Sequence, residues 1–208
     1  MKTEELNHPG SASTPLCPPD VEQDPILNAA KSLLTVRAKG SRAEVTFLRR
    51  TEQGLTPLLR QQGFIGAGGL TRSKREGERC TPAGIFLPGM AFGLQDNPGT
   101  ALPYRRLQSG DGWVDDCASP LYNRFVPAGM PRCWHSAEDM AAETVAYALG
   151  FEIRCNPDCL PGLGSAIFLH CTTGTPTAGC VSLPRADVER LLQLVTPETV
   201  IVITDQTI

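Results

Sequence analysis

The chain has 208 residues, enough for one domain with a sizeable core. Hydrophobic residues make up 41% and charged residues 20%, which excludes a disordered chain. The balance of 19 Lys and Arg against 22 Asp and Glu, with no clustered basic face, excludes a nucleic-acid footprint, and no run nears the roughly 18 apolar residues of a membrane span.

Residues 1–23 are polar and rich in Pro and Ser and read as a flexible N-terminal tail. The opening MKTEELNHPGSAST has no apolar core and does not resemble a secretory signal. Asp24-Pro25 can start a helix, with proline at its first position. Ile26, Ala30, Leu33 and Leu34 recur at helical spacing, so residues 24–41 are expected to form a short helix and linker ahead of a domain over 42–208.

Val45 and Phe47 alternate with Glu44 and Thr46, which predicts a half-buried strand. Glu52-Gln53-Gly54 makes a turn, and Leu55 to Arg60 is its partner strand. The glycine-rich stretch Gly63 to Gly69 reads as a hairpin end or sheet crossing. It lacks the Lys-Ser/Thr ending and the following helix of a phosphate loop. Lys74 to Glu78 is a solvated charge run. Pro82 and Gly84 bracket a tight turn before a strand at Ile85-Phe86-Leu87, and Met90 to Leu107 shows no periodicity and reads as loop. Tyr104 within it is a candidate aromatic wall of a cleft, or a packing residue.

Trp113 to Asn123 mixes polar and aromatic residues. Asp115 and Asp116 point in opposite directions on an extended chain, so they make a poor acid–base dyad; one is expected to brace the loop and the other to face a substrate. Ser136 to Leu149 is expected to be a helix. Ser136 and Asp139 form a capping box, Met140, Val145, Ala148 and Leu149 share an apolar face, and Gly150 stops it. His135 precedes it. Phe151 to Arg154 returns to strand. Near the C-terminus, Pro184 opens a helix with Val188, Leu191, Leu192 and Val195 at helical spacing, and Thr199 to Thr204 is a buried final strand.

Between these lies GSAIFLHCTTGTPTAGCVSL, Gly164 to Leu183. Strand alternation puts Ala166, Phe168 and His170 on one face and Ile167, Leu169 and Cys171 on the other. A loop of small and turn-forming residues then delivers Cys180 ahead of a second apolar run. Thiol chemistry needs a thiolate, a base and amides that hold an oxyanion. Cys180, His170 and the amides of Ala178, Gly179 and Cys180 can supply all three, and Thr177 is expected to orient His170 or a substrate. Packing is the alternative role, because free cysteines are commonly buried and inert.

The 8 cysteines are too few and too irregularly spaced for a disulfide scaffold, and most are expected to be reduced thiols. Cys155, Cys159 and Cys171 could contribute to a structural zinc site, but four ligands at regular spacing are not present.

His170, a Thr-rich loop and Thr177-Ala178-Gly179-Cys180 resemble the signature of the L,D-transpeptidase (YkuD-type) family. Upstream, Lys74-Arg75-Glu76-Gly77-Glu78 followed by Thr81-Pro82-Ala83-Gly84-Ile85-Phe86 resembles the family's K-x-E-G-D…T-P-x-G-x-F segment. Trp113-Val114-Asp115-Asp116, Ser119-Pro120 and Tyr122-Asn123 resemble a further block of one subfamily. One position departs: Ser182 stands where many relatives carry arginine.

The resemblance implies a mostly β fold, a sandwich or barrel with two or three covering helices. It implies an acyltransferase acting on peptidoglycan stem peptides, with Cys180 as nucleophile and His170 as base, no metal and no organic cofactor. The implied substrate-binding set is Lys74, Tyr104, Trp113, Asp115, Asp116 and Asn123. The expected products are L,D cross-links of the 3-3 type, or an attached amine acceptor, after release of the terminal D-alanine. Hydrolytic trimming as an L,D-carboxypeptidase and a silent cell-wall peptide-binding module are the alternatives. The implied location is the cell envelope.

Overall fold

The computed structural model describes residues 24–206, so the tail read over residues 1–23 lies outside the described residues. In chain order, α1 (Pro25–Ala29) leads into β1 (Ser32–Lys39), β2 (Arg42–Thr51) and β3 (Gly54–Phe64). Short strands follow: β4 (Leu70–Thr71), β5 (Thr81–Pro82), β6 (Gly84–Phe86), β7 (Pro88–Gly93), β8 (Tyr104–Arg106), β9 (Gly112–Val114), β10 (Phe125–Val126) and β11 (Ala137–Asp139). Then come β12 (Leu149–Ile153), β13 (Phe168–Cys171), β14 (Val181–Leu183), α2 (Arg185–Leu194) and β15 (Val200–Thr204).

Ten strands form one mixed sheet in the order β6-β15-β1-β2-β3-β14-β13-β12-β7-β8. Side chains from β15, β1 and β2 (Ile201, Val36, Phe47) share a core with side chains from β7, β12 and β13 (Ala91, Phe151, Leu169), so the sheet curls over itself as a β-sandwich. The middle of this core is closed by α2, whose Val188, Leu191 and Leu192 are fully buried at i, i+3 and i+4 spacing. Burial of each such side chain is worth roughly 1.5–3 kcal/mol. A second apolar cluster, built from Phe92, Trp113, Met140, Tyr147, Ala166, Phe168 and Cys180, lies on the other face of β13. The alternation expected for residues 166–171 is therefore seen: Ile167, Leu169 and Cys171 enter the first core, Ala166 and Phe168 the second.

Three expectations are corrected. The first helix ends at Ala29, and Leu33 and Leu34 belong to β1 rather than to a helix and linker. Asp24 does cap the helix, accepting from the Ile26 amide at 2.7 Å, but β1 pairs with β2 on one side and β15 on the other, and that pairing overrides a weak helical pattern. Ser136 to Leu149 is not a helix. Ala137–Asp139 pair with β9, Asp139 Oδ1 accepts the Ala142 amide in a local turn instead of capping a helix, and only Ala146–Ala148 make a 3₁₀ turn before β12. Met90–Leu107 is not all loop either, since the end of β7 and all of β8 lie inside it and pair in parallel.

Candidate active site

Strands β13 and β14 run in parallel, with Leu169 opposite Val181 and His170 opposite Ser182. The loop of residues 172–180 connects them and carries Cys180 back beside Phe168. Gly66 and Thr177 form a bridge, and the Thr177 backbone donates to the Ile65 carbonyl (3.0 Å) and accepts from the Ala67 amide (2.9 Å), so the loop is sewn to the end of β3.

The turn at the cysteine is held from inside and from below. Thr177 Oγ1 donates to the Cys180 carbonyl (2.6 Å) and accepts from the Gly179 amide (3.1 Å). The buried Thr81 hydroxyl donates to the Gly179 carbonyl at 2.7 Å and accepts from the Gly66 amide at 2.8 Å. Gly179 has φ +152°, and a Cβ there would lie 3.1 Å from the Cys80 carbonyl oxygen and 3.2 Å from Ile167, so the turn needs glycine for both conformation and space. These bonds revise two expected roles. Thr177 binds the cysteine turn, not His170. The Gly179 amide, expected to help hold an oxyanion, is already taken by Thr177 Oγ1.

His170 and Cys180 line one cleft of about 550 Å³, together with Lys74, Glu76, Asp115, Glu138, Tyr147 and the 173–179 loop. His170 Nδ1 lies 2.9 Å from the carbonyl oxygen of Cys171. A carbonyl only accepts, so Nδ1 carries the proton and Nε2 presents its lone pair, which is the tautomer a general base requires. Burial holds the imidazole below its usual pKa, opposed by that same carbonyl bond, so it is neutral at rest. The Cys180 thiol donates to the Ala166 carbonyl at 3.2 Å and accepts from the Phe168 amide at 3.3 Å; it makes no hydrogen bond to His170. Burial first, and then the Glu138 carboxylate, push the thiol well above its ordinary range, while the Phe168 amide and Lys74 pull the other way. The resting pair is thiol plus imidazole, with the thiol turned toward Ala166.

An aromatic chain packs against His170. Trp113 meets Phe168 edge-on (4.9 Å between centroids), Phe168 meets Tyr147 (5.5 Å), and Tyr147 meets His170 (5.5 Å, 82° between planes). Such contacts add about 0.5–1.5 kcal/mol each beyond burial.

The substrate-binding residues read from the sequence divide into two groups. Lys74 and Asp115 line the cleft. The Lys74 side chain is only 9% exposed, its Nζ sits 3.5 Å from where a Gly179 Cβ would be, and its ion-pair partner is Glu78 at 3.8 Å. Tyr104, Trp113, Asp116 and Asn123 do not line it. The Tyr104 hydroxyl donates to the Gln95 carbonyl. Trp113 is buried and donates from Nε1 to Asn123 Oδ1 at 2.9 Å. Asp116 braces two loops by accepting from the Ala118 and His135 amides, which holds its carboxyl below the usual range. Asn123 is a buried junction: its Oδ1 also accepts from the Ala166 amide (3.1 Å) and its Nδ2 donates to the Asn156 carbonyl (3.0 Å). His135 is exposed and outside the cleft. Cys171 points its sulfur at the Leu149 carbonyl, Cys159 at the Asn123 carbonyl, and among the described residues no group of three His, Cys, Asp or Glu could hold a metal ion.

Two neighbours of the pair, Glu138 and Tyr147, were not found from the sequence, whereas Glu76 and Thr81 lie in the segments that carry the family resemblance. Glu76 accepts from the Tyr122 hydroxyl and from Ser165 Oγ (2.8 Å), which ties the charge run to the cleft floor. Tyr147 donates its hydroxyl to Glu138 Oε2. Burial, with the nearby carboxylates of Asp115, Glu143 and Glu76, raises Glu138 to about 7 against the lowering effect of the Tyr147 bond. The raised carboxyl makes a stability prediction. Between its unfolded pKa near 4.5 and about 7 the folded state holds the extra proton, so stability falls as pH rises through that window and stays reduced above it. Glu138→Gln should therefore leave the melting temperature nearly unchanged at pH 5. At pH 8 it should raise stability by about 2–3 kcal/mol, or about 5–10 °C. Thermal melts at the two pH values check this, and an equal gain at both would contradict it.

A curled β-sandwich whose parallel strand pair presents a histidine and a loop-borne cysteine to one acidic cleft defines a candidate thiol-dependent transferase. Residues 42–203 match the model of the L,D-transpeptidase catalytic domain, YkuD, and the chain belongs to that family. The family acts on peptidoglycan stem peptides and is generally found outside the cytoplasm, at the cell wall. A search of curated proteins finds no match. Among the described residues no helix is long and apolar enough to cross a membrane.

Proposed function

We propose that this protein is an L,D-transpeptidase in which Cys180 is the nucleophile and His170 the general base. The observation that carries the reading is the placement of both side chains in one cleft, with the His170 tautomer set by the Cys171 carbonyl so that Nε2 is free to take a proton.

The chemistry is two acyl transfers. His170 Nε2 takes the thiol proton, and the thiolate attacks the carbonyl of the stem's diamino-acid residue. The oxyanion that forms is held by the Ala178 and Cys180 amides. Collapse breaks the C–N bond to the terminal D-alanine, whose amine receives the proton from the imidazolium, and a thioester remains on Cys180. An amine of a second stem attacks the thioester and gives its proton to His170. The C–S bond breaks, the new amide is an L,D cross-link of the 3-3 type, and the thiol is restored.

The test is incubation of wild type and Cys180→Ala with tetrapeptide-stem muropeptides, read by mass spectrometry. Linked dimers lacking one D-alanine should appear with the wild type and vanish in the folded variant. Monomers that only lose D-alanine would make the enzyme a carboxypeptidase. Products that persist in Cys180→Ala would remove Cys180 as nucleophile, and no reaction of folded, reduced wild type would favour a peptide-binding module.

A further inference from the structure

Ser182 lies at the centre of β14, is 1% exposed, and its hydroxyl has no hydrogen-bond partner. A buried hydroxyl in that state is costly, and alanine would fill the position without the cost. Its neighbours define what it faces. Val181 and Leu183 enter the first core, so Ser182 points to the opposite face of the sheet. Leu169 and Cys171 also enter the first core, so His170 points to that same opposite face. In register, Ser182 stands between Phe64 of β3 and His170 of β13, with neighbouring strands about 4.8 Å apart. Two residues away along its own chain, on the same side, are Cys180 and Pro184. Phe64 and Pro184 carry no polar side-chain atom. The polar side chains that border Ser182 on the sheet are therefore Cys180 and His170, the proposed nucleophile and base.

His170 is short of a partner as well. Its Nδ1 is fixed on the Cys171 carbonyl, and among the described residues no group bonds Nε2 at rest. Once the ring takes the thiol proton it is a cation in a buried place, where the charge is disfavoured. We propose that Ser182 is a positioning residue for the base: its hydroxyl turns its oxygen to His170 when the imidazole becomes charged, and steadies the imidazolium until the leaving amine takes the proton. A hydroxyl is suited to this, because it rotates and can stand idle beside the neutral ring yet accept from, or point its dipole at, the charged one. Ser182 does not line the cleft, so it acts through His170 and not on the substrate. Other groups do face the ring. Tyr147 meets its edge, and the cleft walls bring Lys74, Glu76 and Arg79 from the segment before β5, Asp115 after β9, Glu138 and Asp139 from β11, and Glu143 ahead of the 3₁₀ turn. A change at Ser182 leaves all of these in place.

The inference rests on His170 serving as the base of the proposed acyl transfer, and the experiment separates the two by reading the ring directly. His170 is titrated by proton–nitrogen NMR in wild type and Ser182→Ala, and the initial rate of acyl-enzyme formation with a tetrapeptide stem is followed across pH by intact mass. Ser182→Ala should make the ring about tenfold less basic, because the charged form loses its oxygen. The acid limb of the acylation rate should move to lower pH by the same amount, and the rate at neutral pH should fall by about 3- to 10-fold. The melting temperature should be unchanged or higher, since the substitution removes a hydroxyl that bonds nothing in the resting protein. A His170 titration that is the same in folded Ser182→Ala as in wild type overturns the inference. A slower rate with a lower melting temperature and an unmoved acid limb marks a serine that only supports the fold, and overturns it too. A shifted titration in a protein that no stem acylates upholds the effect of Ser182 on the ring and overturns the acyl-transfer reading instead.

Discussion

His170→Gln is expected to slow acyl-enzyme formation by about 10²- to 10⁴-fold at neutral pH, the usual worth of a positioned general base. The effect should be large here because the thiol cannot ionise unaided. Its surroundings are apolar and carry a net negative charge, and both conditions hold Cys180 in the protonated form. Glutamine approximates the imidazole in size and can still be packed against Tyr147, but it has no lone pair basic enough to take the proton. The pH dependence separates loss of the base from loss of structure. In the variant, the rate should climb steadily with pH as hydroxide replaces the base, because the thiol titrates well above its usual range. In wild type, the rate should hold below the ordinary histidine pKa, since burial of His170 keeps the ring neutral into mildly acidic solution, and should fall only when it finally protonates. A variant with the wild-type rate at pH 7 would show that another group takes the proton.

The largest stability loss is expected at Asn123. Asn123→Ala removes the acceptor for the Trp113 indole and the Ala166 amide, and the donor to the Asn156 carbonyl, so it strands three groups in the interior. Asn123 also has φ +56°, a left-handed conformation that costs alanine more than asparagine. Three unpaired buried groups plus that strain amount to about 3–5 kcal/mol, or about 6–20 °C in melting temperature for a domain of this size. Asn123→Gly separates the two contributions, because it loses the same bonds and is free of the strain; it should melt above the alanine variant, by about 2–4 °C per kcal/mol recovered. Ala166, itself at φ +51°, supplies the carbonyl on which the Cys180 thiol rests, so both variants should also lose activity. A drop of less than about 2 °C for Asn123→Ala would show that the junction is not what holds the cysteine's neighbourhood in place.

The part of this molecule that was readable from the sequence is the part governed by short-range pattern. Alternation alone separated Ala166 and Phe168 from Ile167, Leu169 and Cys171, and the two sets do enter different cores. The i, i+3, i+4 spacing of Val188, Leu191 and Leu192 identified α2, and the unbroken apolar run of residues 200–203 identified β15. What failed was set by distant partners. The Ala-rich stretch after Ser136 has good helical propensity, but β9 stands ready to pair with Ala137–Asp139, and a strand gained in a sheet outweighs an intrinsic preference of a few tenths of a kcal/mol per residue. Misreading that stretch also hid Glu138 and Tyr147, which line the same cleft as the Cys–His pair. The polar aromatic block divides: Asp115 lines the cleft, whereas Trp113 donates to Asn123, which also ties down Ala166 and Asn156.

The pairing of β1 with β15 has a consequence for how the molecule is made. Leu33 lies beside Val200 and Val36 beside Ile203, so the first long strand is completed by the last one, and β6 is attached only through β15. Almost the whole chain must be in hand before the sheet can close. Contacts of such long sequence separation delay folding, because loop entropy is lost before any contact compensates it. During synthesis β1 and β2 can form a hairpin early, but its open edge stays unpaired until residues 200–204 arrive, which is the interval in which the nascent chain is most exposed to pairing with another copy of itself.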